Sequence, residues 1–142
     1  MESDSKHLQR LRKLFKEAPI RELNGQELVS CGGGAAEVRL PFKPGLTQGL
    51  GVIHGGMVGL AADTAGWFAA ASVYPQGLVT TAEYKINLLT GARGDLLAIG
   101  RVVRQGRNLI TCQLEVVDAE NKLVAVGIGT YICIRNPEEK LR

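Results

Sequence analysis

The 142-residue sequence predicts a two-layer α+β domain in which a long antiparallel sheet packs against one apolar helix. Three observations predict it. Residues from Gly55 or Gly56 to about Val73 are small or apolar almost throughout, and Pro75 and Gly77 close the run. Everything from 78 to 134 reads as strand, and two shorter strand-like runs precede the helix. The resulting order is α-β-β-α-β-β-β-β, with no internal repeat, linker or low-complexity stretch, so residues 1–142 are read as a single domain.

Each element has its own signal. Within the N-terminal region, 1–20, residues 6–17 put Leu8, Leu11 and Phe15 on one face and Arg10, Arg12, Lys13 and Lys16 elsewhere, a short amphipathic helix ended near Pro19. A basic amphipathic helix can seek membranes, but an apolar stripe of two turns fits better a helix packed on the domain with a solvated face. "QELVSC" and "AAEVRLPF" read as strands joined at Gly32-Gly33-Gly34, with Pro41 and Pro44 closing the second. Residues 45–53 are Gly-rich and aperiodic, hence a loop. After the helix come "LVTTAEYKINLL", then "DLLAIGRVVRQ" and "NLITCQLEVVD" around the hairpin signal Gly106-Arg107, and "KLVAVGIGTYICI" after the turn "AENK". Residues 137–142 are a short polar tail.

The central helix is too apolar to lie on a sheet with its outer face in water. A curved sheet would hide most of it and a second subunit more, since sheet edges invite pairing across a dimer.

Composition narrows the function. Hydrophobic residues make up 45% and charged residues 22%, as in an ordinary globular chain, and a net charge of +3 fits no strongly nucleic-acid-binding protein. Cys31, Cys112 and Cys133 have no CxxC spacing and no clustered histidines, which predicts reduced, buried thiols and neither a disulfide frame nor a metal site. The N-terminus lacks a signal-type apolar run and no window holds 18 uninterrupted apolar residues, so the expectation is a cytoplasmic protein without a membrane span.

Asp63 stands out. It is the only Asp, Glu, Lys or Arg between Lys43 and Glu83. A desolvated carboxylate there costs several kcal/mol unless something compensates, so either a partner neutralises it or chemistry needs it. Gly56, Gly59, Leu60, Gly66, Trp67 and Ala70 share its face of the helix, and the glycines suit close approach of another backbone or a ligand. Trp67 could wall an apolar pocket. At the helix start, His54-Gly55-Gly56 places unpaired N–H groups and the positive end of the dipole where a substrate oxygen can reach them. That is the physics of an oxyanion hole for acyl transfer, with a carboxylate or water activated by one as the attacking group. A Gly-Gly pair at a helix start also has purely structural explanations.

"Q48GLGVIHGG", followed by Asp63 nine residues after His54, resembles the PaaI-type hotdog-fold thioesterases, whose motif is N/Q-x-x-G-x-x-H-G-G with an Asp or Glu further along the helix. The resemblance runs from about residue 37 to Ile134 and includes the strand order and the closing "GRVVRQGRNLITCQLEVVDAENKLVAVGIGTY". It implies a hotdog fold, a curved antiparallel sheet wrapped around one long helix, and acyl-CoA hydrolysis. Asp63 would be nucleophile or general base. The Gly55 N–H, with Gly56 beside it, would polarise the thioester carbonyl. Gln48 would orient the carbonyl or the water, Thr81 would help hold water, and His54 would order the loop more than transfer protons. The family implies dimers or tetramers with Asp63 and Gly55 from different chains, no metal, and no cofactor beyond the coenzyme A of the substrate. Arg104 and Arg107, with Gly106 between them, become candidates for contacts to coenzyme A, since Arg suits phosphates. Where the family often has Ser or Thr one turn after the acid, this chain has Trp67. Two rival readings are a hotdog module that binds acyl-CoA without hydrolysing it and a hotdog dehydratase. The latter needs a differently placed histidine, and His54 is the only one outside the N-terminal helix.

Overall fold

The computed structural model describes residues 5–135. Residues 1–4 of the expected N-terminal region and the tail at 137–142 lie outside the described residues.

Helix α1 (Lys6–Glu17) starts at Ser5, whose hydroxyl accepts the Leu8 N–H at 3.2 Å. Its stripe buries Leu11 and Phe15, while most of its charged residues remain in solvent. A fully buried leucine contributes about 1.5–3 kcal/mol, enough with Phe15 to dock two turns of helix. Two polar contacts fix the docking: His7 Nε2 donates to the Ala71 carbonyl at 2.7 Å, and Arg10 Nη2 to the Gly77 carbonyl at 2.7 Å.

A five-residue helix, α2 (Ile20–Asn24), follows where the sequence predicts only a stop at Pro19. The same proline that cannot continue α1 has the φ that suits a helix start, so it ends one helix and opens the next. The 45–53 region, expected to be all loop, contains a 3-10 turn at Pro44–Leu46.

Strands β1 (Glu27–Gly32) and β2 (Ala35–Leu40) form a hairpin whose turn residues Gly33 and Gly34 have φ of 61° and 83°, a region that suits glycine. Then come helix α3 (Gly55–Ser72) and strands β3 (Leu78–Leu88), β4 (Leu96–Gln105), β5 (Leu109–Asp118) and β6 (Leu123–Ile134). All pairings are antiparallel, in the order β1-β2-β4-β5-β6-β3.

This sheet packs its concave face on α3, whose alanines 61, 62, 65, 69, 70 and 71 are fully buried. The backbones of β4 and α3 approach closely at Gly100, where a Cβ would lie 2.5 Å from the Ala65 carbonyl oxygen. The helix thus lies inside the sheet, as its apolar composition predicts. Of the three thiols, all free, Cys31 and Cys112 are buried as expected; Cys133, one residue from the end of β6, is only half-buried. Among the described residues no helix is long and apolar enough to cross a membrane.

Candidate active site

Asp63 sits halfway along α3, half-buried, beneath the β3–β6 pair. Thr81 and Tyr131 are direct cross-strand partners, so both side chains leave the sheet on the same face, toward the helix. Thr81 Oγ1 donates to Asp63 Oδ1 at 2.9 Å, and the Tyr131 hydroxyl lies 3.2 Å from Oδ1 and 3.3 Å from the Asp63 carbonyl oxygen. Burial raises the carboxyl pKa above the usual aspartate range, while the hydrogen bonds from Thr81 and Tyr131 hold it down in part. The compensation comes from two hydroxyls. Among the described residues no cation pairs with the carboxylate.

Sequence reasoning missed Tyr131. Its signal is a tyrosine in the apolar run "GIGTYICI": a buried phenol needs a partner for its hydroxyl, and Asp63 is the acid of the apolar helix. The glycines on the Asp63 face also prove to serve this chain's own side chains, where the sequence suggested a ligand or another backbone. A Cβ at Gly66 would lie 2.0 Å from the Tyr131 hydroxyl, and one at Gly59 would lie 3.1 Å from that of Tyr84. These notches let two tyrosines press against the helix.

Beside Asp63 opens a cavity of about 210 Å³. Trp67 and Phe68 of α3, Phe15 of α1, Ile20 and Arg21 of α2, and Gln26 help to line it. The rings of Trp67 and Phe68 meet edge-on at 4.8 Å and those of Phe15 and Phe68 at 5.5 Å, so much of the wall is a fixed aromatic cluster. Trp67 stands where the sequence suggested a pocket wall.

The helix start lies elsewhere. His54 caps α3, and its Nδ1 accepts the Gly56 N–H at 2.8 Å. Gly56 therefore spends its N–H on the cap and offers none to a substrate, contrary to the role expected beside Gly55. The Gly55 N–H has no hydrogen-bond partner among the described residues. Gly55 lines a second cavity, of about 300 Å³, with Gln48, Val52, Leu88 and Gly91. The Gln48 side-chain oxygen accepts the Leu50 N–H, which ties it into its own turn and away from Asp63.

Gly55 and Asp63 are eight residues apart on one straight helix, about 12 Å at 1.5 Å per residue. They line different cavities. The structure thus brings together Asp63, Thr81 and Trp67, and separately Gln48, Gly55 and His54. Arg104 and Arg107 are exposed, Gly106 is half-buried, and all three, at the β4–β5 hairpin, line neither cavity. Among the described residues no cluster of His, Cys, Asp and Glu could hold a metal ion.

Residues 50–125 match the family described as the thioesterase superfamily. A protein of Saccharolobus solfataricus named as a candidate esterase is 33% identical over 127 residues, covering 88% of this chain and 91% of that one. A solved structure of a conserved protein from Pseudomonas aeruginosa is 34% identical and superposes with a TM-score of 0.78 over 82% of this chain and 94% of the other. A thioesterase of Haemophilus influenzae, 26% identical, superposes with a TM-score of 0.82 over 94% of this chain and 93% of its own.

Proposed function

The chain belongs to the thioesterase superfamily, with its hotdog fold, and from that premise we propose that it hydrolyses acyl-CoA thioesters with Asp63 as the reactive carboxylate. The observation that carries this reading is Asp63 itself: a half-buried carboxylate with no cation partner among the described residues, aimed by Thr81 and Tyr131, at the mouth of an aromatic cavity. A carboxyl kept only for structure gains nothing from a cavity at its side. A desolvated one with a raised pKa suits proton abstraction or attack on a carbonyl.

In the proposed reaction the thioester carbonyl oxygen rests on the free N–H of Gly55, which stabilises the negative charge that develops as the carbon becomes tetrahedral. Asp63 either removes a proton from the attacking water or attacks and is then released by water. The carbon–sulfur bond breaks, the thiol leaves with one proton of the water, and the free acid retains the hydroxyl. Thr81 holds the carboxylate, and through it the water. His54 and Gln48 keep the loop before α3 in the shape that leaves Gly55 open.

One chain separates the two halves of this site by more than a catalytic contact allows, so we assign Gly55 and Asp63 of each site to different subunits. Strand β3 supports this. Among the described residues it is a sheet edge, paired only with β6, and it exposes Tyr84 and Leu88 beside α3. Arg104 and Arg107, exposed on their hairpin, are the groups proposed for the coenzyme A phosphates.

Turnover of an acyl-CoA panel (aryl, short, medium and long), followed by thiol release, tests the reading with wild type and Asp63→Asn. Hydrolysis that falls by about 10²-fold or more in the variant is the expected result, the usual contribution of a positioned base. Unchanged turnover in Asp63→Asn would rule the carboxylate out. Saturable binding with no turnover by wild type would make the chain an acyl-CoA-binding module.

A further inference from the structure

Strand β3 runs along α3 against the direction of the helix. Thr81 bonds to Asp63, Tyr84 covers Gly59 and Leu88 covers Gly55, so the strand meets successive turns of the helix. The Tyr84 hydroxyl lies 3.1 Å from the point that a Gly59 Cβ would occupy, so the phenol takes the place of a side chain at position 59. Asp63 is four positions further along that face. A helical side chain leans toward the N-terminus, which carries the Asp63 carboxylate over the turn that holds Gly59. Carboxylate and phenol therefore share one turn of α3. Tyr84 is also within electrostatic reach of Tyr131, whose hydroxyl touches Asp63: burial, and then the charges of Asp63, Cys112 and Tyr84, push the Tyr131 phenol up.

Both groups have capacity to spare. Thr81 and Tyr131 both bond to Asp63 Oδ1, which leaves Oδ2 without a hydrogen-bond partner among the described residues. The Tyr84 hydroxyl has none there either, and the two do not bond directly. Helix positions four apart are about 5–6 Å apart at Cβ. Two hydrogen bonds through one water span up to about 5.5 Å. That separation suits a single bridging water. Tyr131 is fully buried, but Tyr84 is 40% exposed, so water can reach it. The aromatic cavity lies on the other side of the carboxylate, where Thr64, Trp67 and Phe68 follow Asp63 on the helix. An acyl group in the cavity leaves the water position open.

We propose that Tyr84 is a further catalytic residue, whose phenol oxygen and Asp63 Oδ2 together hold the water that attacks the thioester. The proposal rests on the hydrolase reading above and deepens it by making Asp63 the general base. Each of the two oxygens accepts one water hydrogen, which leaves a lone pair of the water free to face the carbonyl carbon. As the water oxygen bonds to that carbon, the proton on Oδ2 passes to Asp63. The carbon–sulfur bond then breaks and the thiolate leaves with that proton. The other water hydrogen stays on the free acid.

Tyr84→Phe tests this, because it keeps the ring on Gly59 and removes only the hydroxyl. On the best thioester of the acyl-CoA panel, kcat should fall by about tenfold, the worth of one hydrogen bond, with KM and the thermal midpoint unchanged. Added methanol gives the sharper readout. It competes with the held water for the carbonyl, so the share of methyl ester in the product should rise in Tyr84→Phe. A crystal structure of wild type should show one water within hydrogen-bond distance of both Asp63 Oδ2 and the Tyr84 hydroxyl, and that of Tyr84→Phe should not. An unchanged kcat, a loss of kcat with the methyl ester share unmoved, or no such water in wild type would overturn the proposal and leave the hydrolase reading intact. No turnover of any thioester by wild type would sink the hydrolase reading and the catalytic role of Tyr84 with it.

Discussion

At the scale of single residues, the proposed chemistry depends on how Asp63 is held. Its pKa is a balance between burial, which favours the neutral carboxyl, and two hydroxyl donors, which favour the ionised one. In the proposed reaction the reactive form is ionised, so kcat/KM should climb as pH rises through the carboxyl's pKa, with the acid limb above the ordinary aspartate value of about 3.9. Tyr131→Phe removes one donor to the ionised form and should move that limb to still higher pH, leaving the plateau lowered less than Asp63→Asn lowers it. A limb that stays put or moves down in Tyr131→Phe would show that the phenol does not tune the acid. Asp63 was legible in the sequence because a lone acid in an apolar helix is anomalous on its face. Tyr131 was not, because its meaning depends on which helix residue lies under the sheet at that register. The loss of the Gly56 N–H to His54 is likewise a matter of ring orientation, which no spacing encodes.

At the scale of elements, the four long strands and both longer helices fall within a residue or two of where periodicity and turn residues place them. Hydrophobic patterning carried that information. What it hid is local: α2 occupies only five residues after Pro19, too short for a periodic signal, and the 3-10 turn at Pro44–Leu46 is shorter still. Glycine use is also only half legible. Abundance predicts close approach somewhere; the structure assigns it to Gly100 under α3 and to Gly66 against Tyr131. Gly100→Ala would push a methyl to 2.5 Å from the Ala65 carbonyl, and helix backbone yields less readily than a side-chain tip. The expected loss is roughly 1–3 kcal/mol, as for an overpacked core, read as a lower midpoint in urea. Gly45→Ala, where a Cβ meets nothing within 4 Å, is the control and should leave the midpoint in place. Equal midpoints for the two variants would contradict close packing of β4 on α3.

At the scale of the whole molecule, the proposed catalytic unit is larger than one chain. Asp63 with its cavity and Gly55 with its free N–H lie at different points on α3, and β3 leaves an unpaired edge alongside. The sequence predicted that a second copy would cover the helix; how two copies meet depends on surfaces that periodicity does not describe. Mixed subunits test this most directly. Asp63→Asn disables one half of a site, and Gly55→Pro disables the other by removing the N–H at the first helical position, where the backbone tolerates proline and the added Cβ, 2.6 Å from Leu88 Cδ1, displaces only the end of a flexible side chain. Each variant alone should be nearly inactive. When the two are unfolded together and reassembled, half the dimers contain one of each, and every such dimer regains one intact site, so about a quarter of wild-type turnover should return. A mixture no more active than the two variants assayed apart would contradict a site shared between subunits.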